Sequence, residues 1–220
     1  MRQTLTIPAL LAAALVATGC LQKEATHTLY LSPDGAVRWT VEEAAVHSDD
    51  ADPGKRITEE QAFIGPALIG AHAAAQALQV MGADGLVRTT VVRDERPFHV
   101  ITEAHFFRAD RALERLLHLA GTKASVSLER DAERSVLRIR FDFTSEPEQR
   151  EGPVVRMLED IDELRFVLTE GRFVAGGGFD VPDRTRAVVS REWLAAAEKA
   201  LESRRSIELA LTWEAGEPQE

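Results

Sequence analysis

Short segments in which apolar and polar residues alternate recur along the chain and predict pairs of β-strands. The first pair, residues 26–31 and 36–47, flanks Ser32-Pro33-Asp34-Gly35, in which Pro presets φ and Gly accepts a positive φ. This combination predicts a tight hairpin. Three further pairs are predicted at 86–93 with 98–107, at 124–130 with 136–143, and at 164–168 with 172–179. Single strands are predicted at 184–189 and 207–214.

Segments whose apolar residues recur three and four positions apart separate these strands and indicate amphipathic helices. The longest is predicted over residues 58–81; Thr58-Glu59-Glu60-Gln61 resembles a capping box, and Gly65-Pro66 predicts a kink. Shorter helices are predicted from Asp110, over 154–162, and over 190–204 with Ser190 as the cap. The sequence therefore predicts an α+β fold, an antiparallel β-sheet built from successive hairpins with amphipathic helices packed on one face.

The first residues of the chain differ from the rest and are typical of an export signal. Arg2 precedes an apolar run over residues 5–16, which is too short to span a bilayer and fits the apolar region of a secretory signal peptide. Ala17-Thr18-Gly19-Cys20 follows and resembles the lipobox of bacterial lipoproteins. The resemblance implies cleavage between Gly19 and Cys20 and acylation of Cys20, which is the only cysteine in the chain.

This processing divides the chain into four parts. Residues 1–19 are the signal peptide, 20–25 a lipidated tether and 26–214 one α+β domain; residues 215–220 are a solvated tail. Within the domain, the loop-rich stretch 144–153 is the expected internal boundary, if there is one.

The residue after the cysteine bears on localisation. By resemblance to lipoproteins of Gram-negative bacteria, Leu21 instead of Asp after Cys20 implies the outer membrane, facing the periplasm. In a Gram-positive cell the same chain would stay on the outer side of the plasma membrane.

The charge balance argues against one class of partner. The chain has 36 acidic and 26 basic residues and a formal net charge of −10. Such a surface repels polyanions, so we expect no nucleic-acid partner. The expected partners are the membrane, through the N-terminal lipid, and a hydrophobic small molecule, a lipid or envelope proteins.

One strand carries a candidate metal site. His99, Glu103 and His105 share one face of the predicted strand 98–107, and Glu103 and His105 would lie roughly 6–7 Å apart at Cα. The alternative is a polar, solvated strand face. No serine lies in a Gly-x-Ser-x-Gly turn and no His-Glu-x-x-His pair occurs, so the sequence assigns no catalytic residue and no cofactor.

Three segments resemble small envelope lipoproteins of the LppM type: LYLSPDGAVRW, FVLTEGRFVAGGGF and SIELALTW. The resemblance implies a sheet-and-helix domain similar to lipid-binding folds. The many small residues of the predicted helix 58–81 fit either close packing on a sheet or the wall of an apolar cavity. Three hypotheses follow: a non-catalytic domain that binds a hydrophobic ligand or lipid, an accessory interaction module of an envelope assembly, and a metal-dependent hydrolase.

Overall fold

Eleven strands and five helices occur in the part of the chain that the computed structural model describes, residues 21–131, 133–145, 151–159 and 161–214. The strands are β1 (Leu21–Leu31), β2 (Val37–Ser48), β3 (Arg88–Arg93), β4 (Phe98–Phe106), β5 (Ala124–Arg130), β6 (Arg134–Asp142), β7 (Glu163–Leu168), β8 (Arg172–Gly177), β9 (Phe179–Asp183), β10 (Arg186–Val189) and β11 (Ser206–Glu214). The helices are α1 (Pro53–Leu68), α2 (Ala73–Val80), α3 (Ala109–Leu119), α4 (Pro153–Glu159) and α5 (Arg191–Glu202). The α+β class predicted from the sequence is confirmed.

The larger sheet has seven strands in the order β3-β4-β2-β1-β7-β10-β9. Its β1–β2 hairpin closes at the predicted turn, where the Gly35 amide donates to the Ser32 carbonyl at 2.9 Å and Gly35 adopts φ +84°. The β3–β4 hairpin also forms as predicted. Strands β1 and β7 pair in parallel, and the other neighbours in this sheet are antiparallel. The sheet is therefore mixed, whereas the sequence predicts antiparallel pairing only.

The smaller sheet has four antiparallel strands in the order β5-β6-β11-β8. The predicted hairpin of β5 and β6 is confirmed. One apolar core joins the two sheets, because inward side chains of both belong to the same buried cluster. Members of that cluster from the two sheets include Leu29, Trp39 and Phe166 on one side and Phe141 and Leu211 on the other.

The hairpin predicted at 164–168 and 172–179 does not form. Strand β7 pairs with β1 and β10, whereas β8 pairs with β11 in the other sheet. The turn between them carries the chain from one sheet to the other, where Phe166 and Phe173 are both buried in the shared core. Alternation within each strand indicates which side chains are buried, but it does not identify the partner strand.

The long helix predicted over residues 58–81 is two helices, α1 and α2, bent by 50°. Helix α1 begins earlier than predicted because Asp52 caps it, its carboxylate accepting from the Gly54 amide at 2.7 Å, and Pro53 occupies the first helical position. Thr58 lies inside α1 and donates to the Gly54 carbonyl, so the predicted capping box is wrong.

Gly70 ends α1 well before residue 81, the predicted end of the long helix. Gly70 adopts φ +72°, and the amides of Gly70 and Ala71 donate to the carbonyls of Ala67 and Pro66. This pair of hydrogen bonds is the Schellman motif, which terminates a helix at a left-handed residue. The interruption between α1 and α2 is therefore encoded by Gly70, four residues after the predicted kink.

Helices α3 and α5 agree with their predicted positions. Ser190 caps α5 as predicted, accepting from the Trp193 amide at 3.1 Å. Arg108, and not Asp110, is the cap residue of α3; Asp110 lies in its first turn and forms an ion pair with Arg108.

Strand β1 begins at Leu21, so residues 21–25, which the sequence assigns to a tether, are paired in the sheet. Leu21 pairs with Ser48 and Ala25 with Glu43. The Ala25 carbonyl also accepts from the Asp162 amide at 2.9 Å. The signal peptide 1–19, Cys20, the tail 215–220 and residues 146–150 of the expected internal boundary lie outside the described residues.

Gly178, between β8 and β9, provides a test of the packing against α5 and β11. A Cβ there would lie 2.5 Å from Trp193 Cδ1 and 2.6 Å from Leu209 Cδ2, and the residue has φ +87°. We expect Gly178→Ala to lower the free energy of unfolding by about 2–4 kcal/mol, because overpacking and a left-handed backbone both destabilise. Urea denaturation measures the change.

Gly65→Ala is the matched control. Gly65 lies inside α1, and nothing occupies the space within 4 Å of its Cβ position. This substitution should raise the free energy of unfolding by up to about 1 kcal/mol, since Ala is the better helix former. Equal effects of the two substitutions would contradict the packing described for Gly178.

Candidate functional site

A small apolar cluster lies under α1 and is separate from the main core. Its buried members are Val46, Ile64, Ala67, Phe98 and Val100. We call it the α1 cluster. It joins α1 to the inner face of the larger sheet at the end where β1 begins, since Leu21 packs against it.

Polar side chains that are buried or, in the case of Lys23, half-buried lie between the α1 cluster and the main core. They are Lys23 and His27 on β1, Glu43 on β2, His72 before α2 and Thr102 on β4, and we call them the polar layer. Each strand member points inward because it continues the alternation of its strand. Charged groups are seldom buried unless they are paired, so the contacts within this layer decide what it does.

Glu43 connects Lys23 to His72. Its Oε1 accepts from Lys23 Nζ at 2.8 Å, and its Oε2 lies 3.4 Å from His72 Nε2. The three side chains are 8% (Glu43), 19% (Lys23) and 3% (His72) exposed. The network therefore ties the segment before α2 to the first residues of β1, across β2.

His72 is a buried imidazole with only part of its hydrogen-bonding capacity used. The Phe63 ring contacts it edge-on at 5.1 Å between centroids, and its Nδ1 has no hydrogen-bond partner among the described residues. Burial lowers the pKa of His72; the Glu43 carboxylate opposes this shift and the Lys23 ammonium adds to it. His72 is therefore neutral near pH 7, with its Nε2 facing the Glu43 carboxylate.

His27 is buried more deeply and is also neutral. Its Nδ1 accepts from Trp39 Nε1 at 3.3 Å, and the two rings meet edge-on. Burial, with a smaller contribution from Lys23, lowers the pKa of His27 to about 3. The bond from Trp39 fixes the tautomer, because an acceptor nitrogen cannot carry the proton.

The contacts of the polar layer connect α2 to the larger sheet. Neutral histidines and a paired carboxylate position α2 against the sheet. No serine, threonine or cysteine donates to either imidazole among the described residues, so the layer shows no nucleophile–base pair.

The residues of the predicted metal site lie on the opposite face of the larger sheet. His99 Nε2 is 2.9 Å from Glu42 Oε1, Glu103 Oε1 is 3.3 Å from Arg38 Nη1, and His105 is exposed. Each of the first two side chains thus has an ion-pair partner of its own. In residues 21–214, apart from the few positions left undescribed, no three His, Cys, Asp or Glu side chains are grouped to hold a metal ion.

Two surface clefts are lined mainly by polar side chains. One, of about 300 Å³, lies around Arg130, Glu170 and Trp213; the other, an open cleft of about 700 Å³, lies around His118, Lys123 and Arg140. Neither is lined by residues of α1 or α2. The small residues of α2 pack closely on the sheet instead, with Ala77 and Leu78 fully buried.

Sequence reasoning missed the polar layer. Lys23 lies in the predicted tether, and His72 lies in the predicted helix 58–81, where nothing in the local pattern marks it as buried among polar partners. The available signal was Glu43, because it continues the inward row of Val37, Trp39 and Val41 in β2. A carboxylate in an inward row requires a buried partner.

Comparison with known proteins gives one structural match. The chain is similar to the folded domain of LppM from Mycobacterium tuberculosis, solved by NMR, with a TM-score of 0.38 and 11% identity over 93% of this chain and 96% of that one. No protein-family model and no curated protein matches the chain.

The low pKa of His27 predicts a loss of stability in mild acid. The folded value lies below the unfolded value of 6.5, so the unfolded chain binds the proton more readily. The contribution of His27 is complete above pH 6.5 and is lost as the pH falls towards 3. Between pH 7 and pH 5 we expect a loss of about 2 kcal/mol in the free energy of unfolding.

Chemical denaturation at the two pH values measures this loss, and His27→Gln should remove most of it. His105→Gln is the matched control, because it makes the same substitution at an exposed position on β4. An unaltered pH dependence in His27→Gln would contradict a buried, neutral imidazole.

Proposed function

We propose that the chain is a membrane-anchored envelope lipoprotein whose folded domain acts by binding, not by catalysis. The supporting observation is the position of β1. Its first residue, Leu21, comes directly after Cys20, and it is already paired with Ser48. Cleavage at the lipobox would remove residues 1–19 and leave every described strand intact. In a Gram-negative envelope, Leu21 after the lipidated cysteine favours the outer membrane, facing the periplasm.

The proposed ligand is a hydrophobic small molecule or a lipid, bound at the α1 cluster. This cluster is a separate apolar region of the inner face, because the polar layer lies between it and the main core. Helix α1 covers it through Ile64 and Ala67 and ends at the interruption before α2. A modest movement of α1 would open the cluster and leave the main core packed.

An interaction module is the second candidate, and the edge of the larger sheet formed by β3 favours it. Strand β3 ends the strand order and pairs only with β4 among the described strands. Unpaired edges accept an added strand from a partner. Arg88 and Arg93 at the two ends of β3 would favour an acidic partner segment over a second copy of this strand.

Cys20→Ser tests the anchor. We expect the variant to lose membrane retention, because a hydroxyl cannot take the thioether-linked diacylglycerol. Membrane fractionation followed by immunoblotting measures the change, with Ser32→Ala, a substitution in the first hairpin turn, as an export control. A Cys20→Ser protein that stays in the membrane fraction would overturn the anchor.

Mass spectrometry of organic extracts tests the ligand. The natively purified protein should release a stoichiometric apolar molecule, and Ala67→Trp should abolish it by filling the α1 cluster. Ala62→Trp is the control, because Ala62 is exposed on the same helix. Circular dichroism checks that both variants fold.

An extract with no apolar molecule from the unaltered protein would contradict ligand binding. It would direct attention to the β3 edge, which crosslinking in the envelope can examine.

A further inference from the structure

The turn between α1 and α2 exposes apolar side chains. Leu68 is 62% exposed and Ile69 is 80% exposed, and Gly70 and Ala71 beside them are exposed as well. We call these four residues the elbow. The Schellman motif at Gly70 fixes its shape, so the two large side chains are held outward by a defined turn.

The sequence around the elbow carries no Asp, Glu, Lys or Arg in a chain that is otherwise rich in charge. From Gln61 to Ala83 the sequence contains no Asp, Glu, Lys or Arg, although these types make up 28% of the chain. Exposed positions on both helices beside the elbow are Ala62, Ala73, Gln76, Gln79 and Val80. An uncharged apolar projection of this kind loses no hydrated charge on leaving water.

The elbow is the part of the α1–α2 pair whose large apolar side chains are most exposed and can contact a bilayer. No single helix among the described residues is long and apolar enough to cross a membrane, and α1 and α2 pass that test only as a pair bent by 50°. The inward faces of both helices are buried in the protein, through Ile64 and Ala67 in α1 and through Ala74 and Leu78 in α2. A shallow contact of the elbow is therefore compatible with the fold, and a span is not.

The elbow lies near the end of the domain that would carry the lipid. His72, the residue after the elbow, contacts Glu43, and Glu43 contacts Lys23. Lys23 is two residues from the start of β1, roughly 7 Å along the strand. The polar layer thus connects the elbow to the first residues of β1, where the chain enters the domain.

We propose that the elbow inserts Leu68 and Ile69 into the lipid interface beside the acylated Cys20. The proposal rests on the lipid anchor proposed above and adds a second membrane contact to it. An anchor alone tethers the domain in any orientation, whereas two contacts fix which face turns to the membrane. The net charge of −10 favours a zwitterionic lipid surface.

An environment-sensitive dye on a single cysteine tests the proposal. The full-length protein is purified from membranes with its lipid and reconstituted into phosphatidylcholine vesicles. In this form the acylated Cys20 is a thioether and does not react with a maleimide. Ile69→Cys carries the dye at the elbow, and Leu86→Cys is the matched control, because Leu86 is also highly exposed and lies in the loop before β3.

We expect a severalfold gain in emission and a shift to shorter wavelength for the dye at position 69, and neither for the dye at position 86. Vesicle-bound protein whose position-69 dye remains in water would overturn the insertion while leaving the anchor standing. The same shift in detergent-free protein without vesicles, increasing with concentration, would overturn it in favour of self-association. Protein that fails to float with vesicles and whose Cys20 takes the dye would refute the anchor, and the insertion with it.

Discussion

Strand β1 holds the two halves of the chain together, because it pairs with β2 on one side and with β7 on the other. Between these partners in sequence the chain adds β3 and β4 on the far side of β2 and forms β5 and β6 of the smaller sheet, before β7 returns to pair in parallel with β1. The pairing is fixed by a shared apolar row, in which Leu29 lies beside Phe166 and Leu31 beside Leu168, all buried. A slip of one residue would place Arg165 and Val167 in the core in their stead.

The inner face of β1 changes from polar to apolar along the strand. Its second half is apolar on the inner face, whereas its first half presents Lys23 and His27 there. A buried ion pair is seldom a net source of stability, since desolvation offsets the attraction. It does specify geometry, because Lys23, Glu43 and His72 can satisfy one another only in one arrangement of β1, β2 and α2. The polar layer is thus better understood as the feature that positions the helices than as the feature that stabilises the fold.

Local signals predicted a large part of this architecture, and non-local pairing accounts for most of what was missed. The Pro-Asp-Gly turn specifies the β1–β2 hairpin, and clean alternation specifies β6, because neighbours in sequence supply the whole pattern. The sequence predicts that β7 and β8 form a hairpin. The two strands lie in different sheets instead, and Phe166 and Phe173 are both buried in the core that the sheets share. Gly70 terminates α1, whereas Pro66, at which the sequence predicts a kink, is accommodated in the last turn of the helix.

The candidate site was harder to predict for the same reason. His99, Glu103 and His105 are close in sequence and share the outer face of β4, where His99 contacts Glu42 and Glu103 contacts Arg38. Lys23, Glu43 and His72 come from three distant segments and meet only once the sheet and α2 are assembled. No spacing between residues in the sequence predicts such a cluster.

The pairing of β1 from its first residue has a mechanical consequence. Tension applied at Leu21 acts along the strand, nearly at right angles to the hydrogen bonds that join it to β2. The load is then shared by the whole β1–β2 ladder, and further along by the β1–β7 ladder, instead of opening one bond after another. A domain attached in this way resists being unravelled by force from its own N-terminus.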